Sequence, residues 1–228
     1  PVNNLSVYPQ YNHSVEAMGA LLTLSQDNLN QDPMTGKQYE IGLKHDVLNG
    51  KMQYSLALFT ITKNNLLSTD PNDPTLKQQI GEQRSRGVEF ETFWQATSFL
   101  TATINGAYTQ AEYLEFRTAS DDFSGKTPTS VPSKTANAWL TWAITEPLSF
   151  ATGARYVGER FIDRDNQQTL PSYVVYDANL SWQVSQALRV GLHGKNLSNN
   201  ERYVLSGNSS SWLIGDGRTG EISLHYQF

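Results

Sequence analysis

The side chains that most often carry chemistry are few and scattered in this sequence. The histidines are His13, His45, His193 and His225, and no two have the close spacing of a zinc-binding pair. There is no cysteine, which excludes a disulfide framework and Cys-based zinc or redox chemistry. Asp70-Pro71-Asn72-Asp73 and Asp163-Arg164-Asp165-Asn166 gather oxygen ligands. They lack the spaced ligands and terminal Glu of an EF-hand calcium loop. No nucleophile elbow and no phosphate-binding glycine loop is present. A protease built on paired Asp and Asp-His groups would need them close together, and neither His13 nor His193 has an Asp beside it in sequence. The expectation is a non-enzyme with no metal site and no enzymatic cofactor.

The elements that would hold a site in place come next. The chain has 228 residues, a net charge of −5 and a pI near 5.4. That mild acidity argues against a nucleic-acid partner, which needs a basic face. Mean hydropathy is −0.48, an average typical of a soluble protein. No apolar run approaches the ~20 residues of a membrane helix. A barrel strand hides from both measures, because lipid-facing and lumen-facing residues alternate.

That alternation is present. In Glu221-Ile222-Ser223-Leu224-His225-Tyr226-Gln227-Phe228 every even position is apolar and every odd one polar. Upstream, Val88, Phe90 and Trp94 oppose Glu89 and Glu91, and Leu100, Ala102 and Ile104 oppose Thr101, Thr103 and Asn105. Residues 52–63 are less regular, because Phe59 and Ile61 fall opposite Leu56 and Leu58. About ten strands are predicted, each near the ~9–11 residues that cross a tilted bilayer span. Short turns are predicted at 48–51, 96–98, 145–147 and 184–186, and long polar connections at 14–36, 65–82, 114–133, 161–172 and 197–217. Short and long alternate, as in an up-and-down membrane barrel. Trp94, Trp142 and Trp182 precede short turns, while Tyr39, Tyr108, Tyr156 and Tyr176 lie nearer the long connections. Two aromatic belts at the two membrane interfaces are therefore expected. A soluble β-sandwich binding module shows alternation too, and a self-contained small barrel acting as pore or rim protease would show the loop pattern as well. No linker divides residues 1–228. With no Met before Pro1 and no signal-peptide pattern, the sequence reads as a piece of a longer chain.

Several stretches resemble one family. They are 32–44, 56–64, Gly81-Glu82-Gln83-Arg84-Ser85-Arg86-Gly87-Val88-Glu89-Phe90-Glu91, Val131-Pro132-Ser133-Lys134-Thr135-Ala136, 153–158, 170–177, and Gly194-Lys195-Asn196-Leu197-Ser198-Asn199, closed by the Phe228-terminated strand. In this order they resemble the barrel of TonB-dependent ferric-siderophore receptors. Gly217 stands where that family often has Pro.

The resemblance implies an all-β, transmembrane, antiparallel up-and-down barrel of about 22 strands with an N-terminal plug. This chain would supply the last ten or so, without the plug. It further implies a bacterial outer-membrane location and uptake of a ferric siderophore, with iron carried as the chelate. The TonB complex would act through an N-terminal segment outside this sequence. Phe228 would be read by the barrel-assembly machinery, and outer-membrane lipid would surround the barrel. Arg84, Arg86, Glu89 and Glu91 are expected to line the lumen and face the plug. Trp212, Tyr203 and Tyr113 are expected to be exposed on external loops and to grip apolar parts of the chelate. Arg218, with Arg160, Arg164 and Arg202, would attract an anionic one.

Overall fold

The computed structural model describes residues 4–16, 32–69, 77–118, 120–207 and 211–228. The strands are β1 (Leu5–Glu16), β2 (Met34–Val47), β3 (Met52–Thr69), β4 (Lys77–Gln95), β5 (Leu100–Glu115), β6 (Lys134–Thr145), β7 (Leu148–Val157), β8 (Arg160–Phe161), β9 (Thr169–Leu170), β10 (Tyr173–Gln183), β11 (Leu188–Lys195), β12 (Val204–Gly207), β13 (Trp212–Ile214) and β14 (Thr219–Tyr226). Among the described residues there is no helix. A 10-stranded sheet runs β1-β2-β3-β4-β5-β6-β7-β10-β11-β14, each strand antiparallel to its neighbour. The small ribbons β8–β9 and β12–β13 decorate the long connections.

Register carries the alternation through the whole sheet. Tyr226 opposes Leu188, Leu192 opposes Leu180, Leu180 opposes Phe150, and Phe150 opposes Trp142. The same face continues through Ile104, Phe90, Leu56, Leu43 and Val7. These apolar side chains are left open: Ile222 is 71% exposed and Leu224 72%. A water-soluble sheet would bury such a face, so its solvent is lipid. The opposite face carries Gln38, Glu40, Lys44, Glu89, Glu91, Asn105, Asn137, Arg155, Asp177 and His193.

The short connections fall as expected, while residues 17–31 of the connection placed at 14–36 lie outside the described residues. The short ones join β2–β3, β4–β5, β6–β7 and β10–β11, all at one end of the sheet. The Asn49-Gly50 turn holds Leu48, Asn49 and Gly50 at φ of 56°, 57° and 82°, the left-handed region that Asn and Gly tolerate. Trp94, Trp142 and Trp182 lie on the apolar face at that end, each about half exposed. Tyr11, Tyr39, Tyr108 and Tyr176 lie on the same face towards the other end.

Two expectations need correction. The connection placed at 65–82 is largely strand: β3 and β4 stay paired to Thr69 and Lys77, across register shifts at Lys63/Leu66 and Leu66/Leu67. A bulge lets a ladder survive polar, turn-prone residues such as Asn64-Asn65. The second concerns Arg84 and Arg86. They pair with Thr62 and Thr60 on one side and Glu112 and Gln110 on the other, on the face of Val88 and Phe90. Glu89 and Glu91 occupy the opposite face. The arginines therefore do not line the lumen; their position near the strand's external end spares them the hydrocarbon.

Candidate functional site

The long-connection end gathers the side chains able to meet a ligand. Its scaffold is the Gly194-Lys195-Asn196-Leu197-Ser198-Asn199 stretch. Asn196 is 2% exposed, with a left-handed φ of 47°. Its backbone N–H donates to Asp177 Oδ1 at 2.9 Å, its Nδ2 donates to the Asp216 carbonyl at 3.0 Å, and its Oδ1 accepts from the Asn200 N–H at 2.8 Å. Asn199 Oδ1 accepts from the Arg218 N–H at 2.9 Å. These bonds clasp the start of the last long connection to its end. A Cβ at Gly194 would meet Leu197 Cδ2 at 2.7 Å, so the leucine packs directly over the glycine backbone.

The clasp positions Tyr203. Its hydroxyl accepts a hydrogen bond from Arg155 Nη2 at 2.8 Å, and the guanidinium carbon lies 5.4 Å from the ring centroid. The Tyr173 ring is 5.1 Å away, and Gly215 packs on the other side. Trp139, Arg155, His193, Lys195, Tyr203 and Asp216 line a recess of about 370 Å³ on the polar face. Asn179 Oδ1 faces into the same wall, buried and without a partner among the described residues. An aromatic platform beside guanidinium and ammonium groups suits a flat, oxygen-rich, anionic ligand.

The other predicted aromatics separate. Trp212 is 49% exposed on β13, opposite Gly207. Tyr113 is not an exposed gripping residue. It is 8% exposed, stacked on Phe116 at 4.7 Å in a cluster with Phe123 and Leu66. Apolar burial at a strand end, where the loop folds back, outcompetes exposure.

The predicted arginines serve structure as well. Arg164 caps the rings of Phe116 and Phe123 at 5.1 and 5.9 Å. Arg160 is 4% exposed; it donates to the Val204 carbonyl and, at 3.2 Å, to that of Leu205. Arg218 is exposed at the entrance to β14.

Two neighbouring loops form one cap. Asn166 exchanges hydrogen bonds with the Thr127 backbone at 2.7 and 2.9 Å, and the Ser130 N–H donates to the Phe161 carbonyl at 2.8 Å. The calcium-like Asp163 stretch belongs to this cap. Partial burial alone would raise the Asp163 pKa; the Gln168 and Gln167 N–H groups outweigh it and hold the carboxyl below its usual range. In the preceding loop, Ser124 and then Arg117, at 3.2 Å, lower the pKa of Asp122. The Asp70–Asp73 stretch lies outside the described residues. Among the described residues no group of three or more His, Asp and Glu is placed to hold a metal ion.

Lower on the polar face, Glu89 and Glu91 join Tyr8, Glu40 and Lys44 around a recess of about 480 Å³. Tyr8 donates to Glu40 Oε1 at 2.9 Å, and Lys44 lies 5.4 Å from the Tyr8 ring centroid. Sequence reading passed over Arg155, Trp139 and Asn196. Strand parity was the available signal for the first two: they fall on the polar side of β7 and β6.

Residues 1–197 match the family model described as TonB dependent receptor-like, beta-barrel. The chain belongs to the TonB-dependent receptor family. This receptor chain is 33% identical over 192 residues to the ferrioxamine B receptor of Salmonella typhimurium, covering 79% of this chain and 26% of that protein. It is 32% identical over 204 residues to the ferrichrome outer membrane transporter/phage receptor of Escherichia coli K12, covering 86% and 25%. The siderophore receptor PiuA of Acinetobacter baumannii shares the fold at a TM-score of 0.86 and 24% identity, over 99% of this chain and 34% of that one. BauA, the ferric preacinetobactin receptor of the same species, superimposes at 0.78 with 26% identity, over 99% and 34%. The receptor chain thus spans a quarter to a third of these relatives. Family membership places it in the outer membrane and among receptors and transporters, which are not enzymes.

Proposed function

We propose that this chain is part of an outer-membrane receptor that takes up a ferric siderophore with energy from the TonB system. The observation that carries the reading is the family match, joined to relatives whose names specify ferrioxamine and ferrichrome. The recess beside Tyr203 and Arg155 supports it, since a chelate presents flat apolar surface and anionic oxygen together. Iron arrives as cargo with its coordination sphere filled by the chelator, so no protein ligand to the metal is needed.

In this reading Tyr203, Trp212 and Arg218 contact the chelate from the external loops, with Arg155 holding Tyr203 in place. Glu89 and Glu91 face the plug, and the sheet supplies the closing strands of a barrel of about 22. Phe228 at the end of the lipid-facing alternation serves as the signal for barrel assembly. The test is growth of an iron-starved deletion strain carrying the full gene, with single purified siderophores as iron source. Growth on at least one hydroxamate or catecholate chelate, abolished by loss of TonB, is expected. Growth on none, or growth independent of TonB, overturns the reading.

A further inference from the structure

One buried cation has no carboxylate partner. Arg160 is 4% exposed, and none of the ion pairs among the described residues includes it. Its Nη1 is buried without a hydrogen-bond partner among those residues. Taking a charge out of water is costly unless its surroundings repay it. An apolar side chain would fill the same space, beside its β8–β9 partner Leu170, at less cost. What the guanidinium adds is geometry: several donors and a flat face, all held in one plane.

Both are spent around Tyr203. Arg160 Nη2 donates to the carbonyl of Val204 and, at 3.2 Å, to that of Leu205, the two residues that follow Tyr203. The guanidinium carbon lies 5.7 Å from the centroid of the Tyr173 ring, which in turn lies 5.1 Å from the Tyr203 ring. Arg155 closes the row, 5.4 Å beyond. The order is cation, ring, ring, cation, and it ties the connection from β7 to β10 onto the connection from β11 to β14. The Tyr203 carbonyl is taken as well, by the Gly215 N–H at 2.7 Å. Tyr203 is thus held through its hydroxyl by Arg155, through its ring by Tyr173, and through its backbone by Gly215 and Arg160. Arg160 itself does not line the recess beside Tyr203, so drawing in the chelate directly is not its part.

We propose that Arg160 is a positioning residue for chelate binding: without touching the ligand, it sets the angle and depth of the Tyr203 ring in the recess. The effect on affinity rests on Tyr203 contacting the chelate; the hold on the ring does not.

The test uses the full-length receptor in detergent, with fluorotyrosine placed at position 203. Arg160→Met removes the donors and the plane while still filling the space, and Arg160→Lys keeps the charge. In the ligand-free receptor, the fluorine resonance should shift and broaden in Arg160→Met and return part of the way in Arg160→Lys. Ferrioxamine B and ferrichrome, the chelates named by the relatives, are then titrated by fluorescence quenching. Whichever binds the unaltered receptor more tightly should bind Arg160→Met about tenfold more weakly. Arg160→Met/Tyr203→Ala should bind no more weakly than Tyr203→Ala alone, because the first change acts only through the ring that the second removes. Heat-dependent gel mobility reports folding of each variant. An unshifted resonance in folded Arg160→Met overturns the proposal without any chelate. So does an additive loss in the double variant, which marks a role independent of the ring. Absence of binding by the unaltered receptor counts against siderophore uptake, and a shifted resonance then still upholds the hold of Arg160 on the ring.

Discussion

Asn196 and Asp216 stand twenty positions apart, yet the amide nitrogen of one donates to the carbonyl of the other at 3.0 Å. This bond, with the Asn200 N–H on Asn196 Oδ1, closes the last long connection. Asn196→Ala should cost about 2–3 kcal/mol, combining lost buried hydrogen bonds with a left-handed residue that now has no local compensation. Asn196→Gly should recover only the backbone part. Protease nicking between 197 and 218, compared across the two variants, would measure it. Equal protection in Asn196→Ala and the parent would defeat the clasp.

Tyr203→Phe removes the hydroxyl that Arg155 reaches at 2.8 Å while keeping the ring. If the ring is the platform, binding of the cognate chelate should weaken less than about tenfold, as expected for one hydrogen bond. Tyr203→Ala should weaken it further. Intrinsic fluorescence quenching by the ferric chelate reads both, and identical affinities would remove Tyr203 from the site.

Trp139 lies across Gly153 so closely that a Cβ there would overlap its ring. Gly153→Ala should therefore displace the indole from the recess wall. The expected cost is about 1–3 kcal/mol, with a shift in tryptophan emission. An unchanged spectrum would show that the ring moves freely.

Asp163 accepts from the backbone N–H groups of Gln167 and Gln168, which lowers its pKa. A depressed carboxyl stabilises the folded loop above its ordinary value near 4 and loses that contribution as pH falls through the folded value. Amide exchange at Gln167 and Gln168, corrected for intrinsic rates, should accelerate below about pH 4 and not between pH 6 and 8. Flat protection down to pH 2 would contradict it.

The absence of cysteine makes every engineered thiol unique in this chain. Leu224→Cys should react with a lipid-soluble maleimide and resist a charged one, and Glu89→Cys should do the reverse. Arg86→Cys should react with both, since it sits at the interface. Glu89→Cys labelled only from lipid would invert the assignment of faces.

Much of this was readable in the chain because a barrel strand writes its two solvents into alternate positions. Ile222, Leu224 and Tyr226 needed no partner to declare their face. Phe59 and Ile61 broke the rule for a reason visible only across the ladder: Phe59 covers Gly87, where a Cβ would sit 3.0 Å from its ring. Arg84 and Arg86 were misplaced because charge was weighed above parity, although a charge is tolerable on the outer face once the strand leaves hydrocarbon. Tyr113 was misplaced because a loop-end aromatic looks exposed until its stacking partners, Phe116 and Phe123, are known. The clasp at Asn196 depends on groups twenty positions away, and local pattern holds no record of them.

The pairing of like face with like face across neighbouring strands, as in Leu43 against Leu56 and Val190 against Leu224, also limits how such a chain can change in length. Adding or deleting one residue inside a strand would send every later side chain of that strand to the wrong solvent. Insertions and deletions are therefore confined to the long external connections, or to compensating bulges such as those near Leu66. Length variation is channelled to the end of the molecule that faces the outside world, so new loops can be tried there while the wall stays intact.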